Sequence, residues 1–409
     1  ITGWLFIAAV LALYGLYFLA YNLRAGYPYV SYTLSAISFI MLIAVPILTM
    51  RSMAEERHSR TDQLVLTAPV SLGKMIFGKF LAMVGVFTVA VAVIAVTPLV
   101  LAAFGTVPMG ENYVAVLGFW LYGCTCIAVG MLASALTESQ VIAAVVAFAF
   151  LFLGYMMNSI TGLIGDHLIT KVLGAYDLYT PLQSFMSGCL DLTGVVYFVS
   201  VTALCLFLTC QCVQKRRWSM TTKKLTTGMF SVAMIVVGFA VAVAVNMVVK
   251  EMPSSWTAVD ATSTKLYSLT DTTKDYVKNL SQDVTIYVLS SEKSADSTLA
   301  ETLQRYEDLS KHLNVVYKDP AKSPNFYQQY TDSAPSQNSM IVVSDARSRV
   351  VDYSDIYEYS YDYSTYSSSV DGYDAEGQLT SALQYVTKAD SELPVIYEIT
   401  GHGENTLSG

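Results

Sequence analysis

The sequence predicts a polytopic α-helical membrane domain with a seventh span and an extracytoplasmic α/β domain, and three observations carry that reading. The 409 residues are 54% hydrophobic and only 14% charged, whereas a soluble chain carries about 25% charged residues. The apolar excess is confined to residues 1–249, while residues 250–409 have ordinary polarity and are rich in Ser, Thr, Tyr and Asp. Charge changes at the same place: the balance is +4 up to Val249 and −12 beyond it, which gives the net charge of −8. A membrane module is therefore followed by an acidic aqueous one.

A hydrocarbon core about 30 Å thick requires about 20 apolar residues of helix. Seven stretches meet this: Trp4–Tyr21, Thr33–Met50, Met75–Phe104, Tyr113–Leu136, Val141–Ile160, Val195–Val213 and Met229–Val249. Residues 161–194 hold Asp166, Lys171, Asp177 and Pro181 and are too interrupted to span, so short helices dipping back into the outer leaflet are expected there. The resulting division is a six-span membrane domain over 1–218, a cytoplasmic linker and seventh transmembrane helix over 219–249, and an extracytoplasmic domain over 250–409. Ile1 already lies inside an apolar run and Gly409 follows a glycine-rich turn, so chain is expected on both sides of these residues. The first apolar run is too long for a signal-peptide core and lacks a small-residue cleavage site.

Positive charge sets the orientation, because Lys and Arg gather on the cytoplasmic side. The loop 51–79 carries Arg51, Arg57, Arg60, Lys74 and Lys79, and "QKRRWSMTTKK" after the sixth span carries Lys215, Arg216, Arg217, Lys223 and Lys224. The alternate loops hold only Arg24 and Lys171. Both basic loops follow even-numbered spans, which places residues 250–409 outside a bacterial plasma membrane.

In the aqueous module, Asp283–Ser290, Asn314–Asp319, Ser339–Asp345 and Leu393–Thr400 alternate like strands. Thr298–Leu313 and Glu376–Asp390 read as amphipathic helices. Strands alternating with helices predict an α/β domain with a largely parallel sheet. Between them, "VVDYSDIYEYSYDYSTYSSSVDGYD" holds seven tyrosines from Tyr353 to Tyr373, read as an irregular acidic loop, with an aromatic sugar- or peptide-binding surface as the alternative.

Candidate chemistry is sparse. The last strand runs into "TGHGENT", where a turn at the carboxyl end of a strand is a place for ligands in open α/β sheets. Gly401, His402, Gly403 and Glu404 are therefore a possible ligand or partner turn, His402 and Glu404 being the only pair there fit for a metal or acid–base role. The six cysteines all precede residue 213 and lack zinc spacing, so they read as small apolar packing residues. No phosphate loop, Gly-x-Ser-x-Gly, HExxH or dinucleotide fingerprint occurs. Few polar groups interrupt the spans, Asn158 and Asn246 among them, which argues against an ion-coupled pump. No catalytic residue, metal or nucleic-acid partner is expected, and any driving energy enters from another chain.

"AEERHSRTDQLVLTAPVSLGKMIFGKFLA" (Ala54–Ala82) resembles the cytoplasmic segment between the second and third spans of ABC-2-type exporter permeases. "LTESQ" (Leu136–Gln140), the "QKRRW" exit of span six and "TPLQSFMSGCLDLTGVVYF" (Thr180–Phe198) fit the same family. "STKLYSLTDTTKDYVKNLSQDVTIYVL" (Ser263–Leu289), "EGQLTSALQYVT" and "YEITGHGEN" are similar to the auxiliary subunit of gliding-motility-type ABC systems. The chain thus looks like a fusion of permease and auxiliary protein, lacking a basic interfacial helix before Ile1 and further auxiliary domain after Gly409. The resemblance does not carry motility itself.

The resemblance implies a separate cytoplasmic ATPase dimer that holds the ATP and Mg, a second copy of the permease, and contact with membrane lipid. A short charged helix over 53–66 would seat on the ATPase, with Leu64, Val65 and Leu66 as apolar anchors. Glu55, Glu56, Arg57, Arg60, Thr61 and Asp62 would form its polar rim, Glu138 would join the set, and Pro69 would end the helix. Two other classes compete: a membrane-anchored binding or adhesion protein, for which seven spans are excessive, and an ectoenzyme using His402 and Glu404, which lacks a catalytic set.

Overall fold

Long charge-free runs leave the backbone no partner but itself in hydrocarbon, so they become long helices. The computed structural model describes residues 2–61, 71–164, 173–217, 224–250, 252, 257–261, 268–291, 294–362 and 367–388. The chain divides into two compact units, Ile1–Tyr267 and Ser268–Gly409.

In the first unit, Thr2–Phe18 (α1) continues as a π-helix over Leu19–Arg24, and Val30–Thr49 (α2) runs on past Met50 into Arg51–His58 (α3). Leu72–Ile94 (α4) and Thr97–Ala102 (α5) make the third span, followed by Met109–Leu136 (α6) and Gln140–Ile164 (α7). Tyr179–Met186 (α8) and the short strand Cys189–Asp191 (β1) precede Leu192–Arg217 (α9), Lys224–Lys250 (α10) and Ala258–Asp260 (β2). Among the described residues seven helical stretches are long and apolar enough to cross a membrane. The protein is a multi-pass integral membrane protein.

Span three is broken rather than continuous. Pro98 cannot donate to the carbonyl of Ile94, and the Thr97 hydroxyl takes that acceptor instead at 2.7 Å. The charged helix after span two also differs from expectation, ending at His58 instead of reaching 66. Ser59 donates to the Glu55 carbonyl through both its N–H (2.9 Å) and its hydroxyl (2.8 Å), and Arg60 turns left-handed at φ 57°. Side-chain hydroxyls that satisfy the last carbonyls end a helix in this way. Asp62, Leu64, Val65, Leu66 and Pro69 lie outside the described residues.

Span four is the axis of the unit, with most of its length buried, whereas span seven is exposed. It runs parallel to span two and is clamped to it at both ends. At one end Asn112 Oδ1 accepts from Val30 N at 2.6 Å, while Asn112 Nδ2 donates to Pro28 O at 3.1 Å. Near the other, Gly130 leaves room only for the Thr49 side chain, which occupies the space a Cβ would need. Such small-residue contacts hold membrane helices together where no hydrophobic effect separates protein from lipid.

These contacts sort the loops. Pro28 and Asn112 meet at one end, where β1 also pairs with β2, so the stretch after span seven shares that end with the loop between spans five and six. Residues 51–57, Lys79 and Glu138 meet at the other.

The second unit is built on a four-stranded sheet of order β4-β3-β5-β6. Its strands are Val284–Val288 (β3), Leu313–Tyr317 (β4), Met340–Ser344 (β5) and Ser348–Val351 (β6). Alternation along β3 buries Val284, Ile286 and Val288 against Asp271–Lys278 (α11), Ser297–Leu309 (α12) and Ala375–Thr387 (α13). Tyr306 is fully buried there, its hydroxyl 2.8 Å from Thr380 Oγ1, and burial pushes its phenol up. Glu376 Oε1 accepts from Thr270 N at 2.9 Å, tying the start of α13 to the cap of α11.

The expectation of a largely parallel sheet is not met among the described strands. Only β3–β4 is parallel; β3–β5 and β5–β6 are antiparallel. The helical crossover α12 returns the chain parallel, whereas β5 and β6 are joined by a three-residue turn, which permits only antiparallel pairing. The tyrosine-rich segment is not an irregular loop either: Tyr357–Asp362 (β7) and Ser367–Tyr373 (β8) form an antiparallel hairpin. Tyr353 and Tyr357 donate their hydroxyls to Asp296 at 3.2 and 3.1 Å, and Asp296 caps α12 by accepting from Leu299 N at 2.8 Å. Burial first, then the charge of Asp296, pushes the Tyr357 phenol up.

Candidate functional site

The sequence places its densest charge between spans two and three, and the structure gathers much of it at one end of the membrane unit. Ser134 of span four is the organising residue. Its hydroxyl oxygen accepts from Met53 N at 3.1 Å and Ala54 N at 3.0 Å and its proton goes to Met50 O at 2.9 Å. These N–H groups lie just past the junction of α2 and α3, and the side chain that accepts from them comes from another span. Met53 and Ala54 are buried beneath it.

Charge then fixes the outer surface of α3. Arg57 Nε lies 3.1 Å from Glu138 Oε1, in the turn between spans four and five. Glu56 pairs with Lys79 of span three, whose ammonium also donates to Ser52 O at 3.0 Å. Pairs this open to solvent contribute little stability, so their effect is to orient. Three spans therefore converge on one eight-residue helix.

The predicted residues divide accordingly. Glu56, Arg57 and Glu138 are drawn into these pairs, whereas Glu55 and Arg60 project into solvent. Thr61 is exposed, its hydroxyl 3.0 Å from Ser59 Oγ and donating to Glu56 O at 3.3 Å. Asp62, Leu64 and Leu66 fall outside the described residues, as do Gly401, His402, Gly403 and Glu404 and the strand Leu393–Thr400. Sequence reasoning missed Ser134 and Lys79 as members of the site. A lone small polar residue within Ala133-Ser134-Ala135 was the available signal, since such residues mark close helix approaches.

Among the described residues no three His, Cys, Asp or Glu side chains lie together as a metal site. No disulfide joins the six cysteines, four of which are buried.

Two family models match the chain. Residues 263–356 match a domain of unknown function (DUF7088). No curated protein and no solved structure matches. Residues 24–213, which hold the convergence on α3, match the family model described as ABC-2 family transporter protein, and this match supports an ABC-2 permease domain over that segment.

Proposed function

We propose that the chain is the permease subunit of an ABC-2-type exporter, driven by a separate cytoplasmic ATPase dimer that docks on Arg51–Thr61 and the residues following it. The observation that supports this best is the attachment of α3. It continues span two, is capped by Ser134 of span four and is paired to Lys79 of span three and Glu138. A push on this short helix reaches three spans without crossing a flexible linker. Glu55 on it, and Arg60 and Thr61 after it, are exposed for contact, and Leu64 and Leu66, a few residues on in the sequence, are the apolar anchors of this reading.

ATP and Mg belong to the partner, and the energy for the cycle enters as mechanical work. The exposed apolar surface of span seven accords with a permease embedded in lipid, and a second copy of the chain completes the translocation path. The basic loops orient α3 to the cytoplasm and residues 250–409 to the outside, where the second unit acts as an auxiliary domain of the gliding-motility type, with the turn Gly401–Glu404 as its ligand or partner contact.

The test is purification of the full chain from its native membrane in mild detergent. A vanadate-sensitive ATPase is expected to accompany it, and Glu55→Lys combined with Leu64→Asp is expected to remove that activity. Retention of the ATPase by a folded double variant overturns the coupling. Absence of any ATPase from the wild type favours a membrane-anchored binding protein instead.

A further inference from the structure

The start of the stretch that leads to the second unit is stitched into the membrane unit. β2, which follows span seven, pairs antiparallel with β1, setting Cys189 opposite Asp260, Leu190 opposite Val259 and Asp191 opposite Ala258. Ala261 N extends the ribbon by donating to Gly188 O at 3.2 Å. Three-residue strands do not hold each other unaided, so their surroundings must keep them together.

Those surroundings belong to spans four and six. β1 leads directly into span six, where Asp191 Oδ1 accepts from Thr193 N at 2.8 Å. Gly110, at the start of span four, approaches so closely that a Cβ there would lie 2.5 Å from Ala261 O. The preceding helix α8 is locked by Phe185, fully buried against Gly118 of span four and Gly194 of span six. Span seven already anchors the second unit, and anchoring alone needs only a free linker after it. The ribbon instead binds that linker to the segment between spans five and six.

We propose that the β1–β2 ribbon is a transmission element, by which the segment between spans five and six and the start of the second unit move together through the transport cycle. It rests on the ATP-driven reading above. Nucleotide state at the inner end then alters the second unit, and by linkage an external ligand of that unit alters nucleotide affinity by the same factor. Only residues 262–267 separate the ribbon from Ser268, where the second unit begins.

The experiment uses the full chain with its ATPase and follows amide hydrogen exchange with and without a non-hydrolysable ATP analogue. In the wild type, nucleotide changes exchange at 51–61 and also at 268–291, the latter by at least about fivefold, the low end of ordinary coupling. Gly110→Val displaces β2 and abolishes the response at 268–291 while leaving that at 51–61. An unchanged response at 268–291 in this variant, or none in the wild type, overturns the proposal. Loss of the 51–61 response in the wild type is a separate outcome that removes the ATP-driven reading and this proposal with it. Asp260→Cys, which places a thiol opposite Cys189, supplies a second readout independent of folding defects at Gly110. Oxidative closure of that pair leaves ATP hydrolysis at wild-type rate if the ribbon stays intact through the cycle. Arrest on oxidation, reversed by reductant, shows that the ribbon opens and overturns transmission through it.

Discussion

Arg57 Nε and Glu138 Oε1 lie 3.1 Å apart, joining the inward extension of span two to the turn between spans four and five. Glu138 is 64% exposed, and a pair so open to water contributes at most about 1 kcal/mol. Arg57→Glu is therefore expected to shift the melting temperature only slightly while sharply lowering stimulated ATP hydrolysis. Arg57→Glu with Glu138→Arg restores hydrolysis if the pair orients α3, and comparison of the two variants with wild type checks this.

Ser134 makes the stronger bond between spans. Ser134→Ala leaves Met53 N, Ala54 N and Met50 O without their partner in a buried place. Each abandoned group costs about 1–3 kcal/mol unless water reaches it. A clear loss of thermal stability in detergent is expected, larger than that of Arg57→Glu, together with faster amide exchange over 51–58.

At Gly130 the expected effect comes from overpacking. A valine there meets the Thr49 side chain, and forcing extra carbon into a packed contact costs about 1–3 kcal/mol. Thr49→Ala in the Gly130→Val background should recover part of the lost melting temperature; Thr49→Ala alone should not raise it.

The second unit carries an acid-sensitive staple at Asp352. Burial alone would raise its carboxyl, but donors on Ser336 and Ser354 outweigh that and hold it below the usual carboxylate range. Its folded pKa being depressed, the stabilisation is full above the unfolded value of about 3.9 and is lost as pH falls through the folded value. Asp352→Asn is expected to destabilise the unit at neutral pH and to flatten this acid limb. Melting curves of the full chain, followed through near-UV tyrosine signals between pH 7 and strongly acid solution, check both.

The spans were legible because hydrocarbon imposes a length on any apolar helix, and the alternation of Val284, Ile286 and Val288 made β3 legible in the same way. What escaped was relational. The apolar pattern of a strand reads the same beside parallel and antiparallel neighbours, so strand direction followed from connections that the pattern does not encode. The tyrosine run looked irregular because its order depends on Asp296, some sixty residues earlier. Ser134 bonds only backbone groups, which carry no residue signature, so nothing at 53 or 54 pointed to it. The charged loop is plain in the sequence, but the end of its helix is not, because it rests on the hydroxyls of Ser59 and Thr61 reaching the carbonyls of Glu55 and Glu56.

The central claim is that work enters the membrane unit through Arg51–Thr61. Amide exchange across those residues, in the complete complex with its ATPase, is the most direct measure. Slower exchange over 51–61 on adding a non-hydrolysable ATP analogue, abolished by Glu55→Lys with Leu64→Asp, is the predicted result. Exchange there that ignores nucleotide while the complex hydrolyses ATP would contradict it.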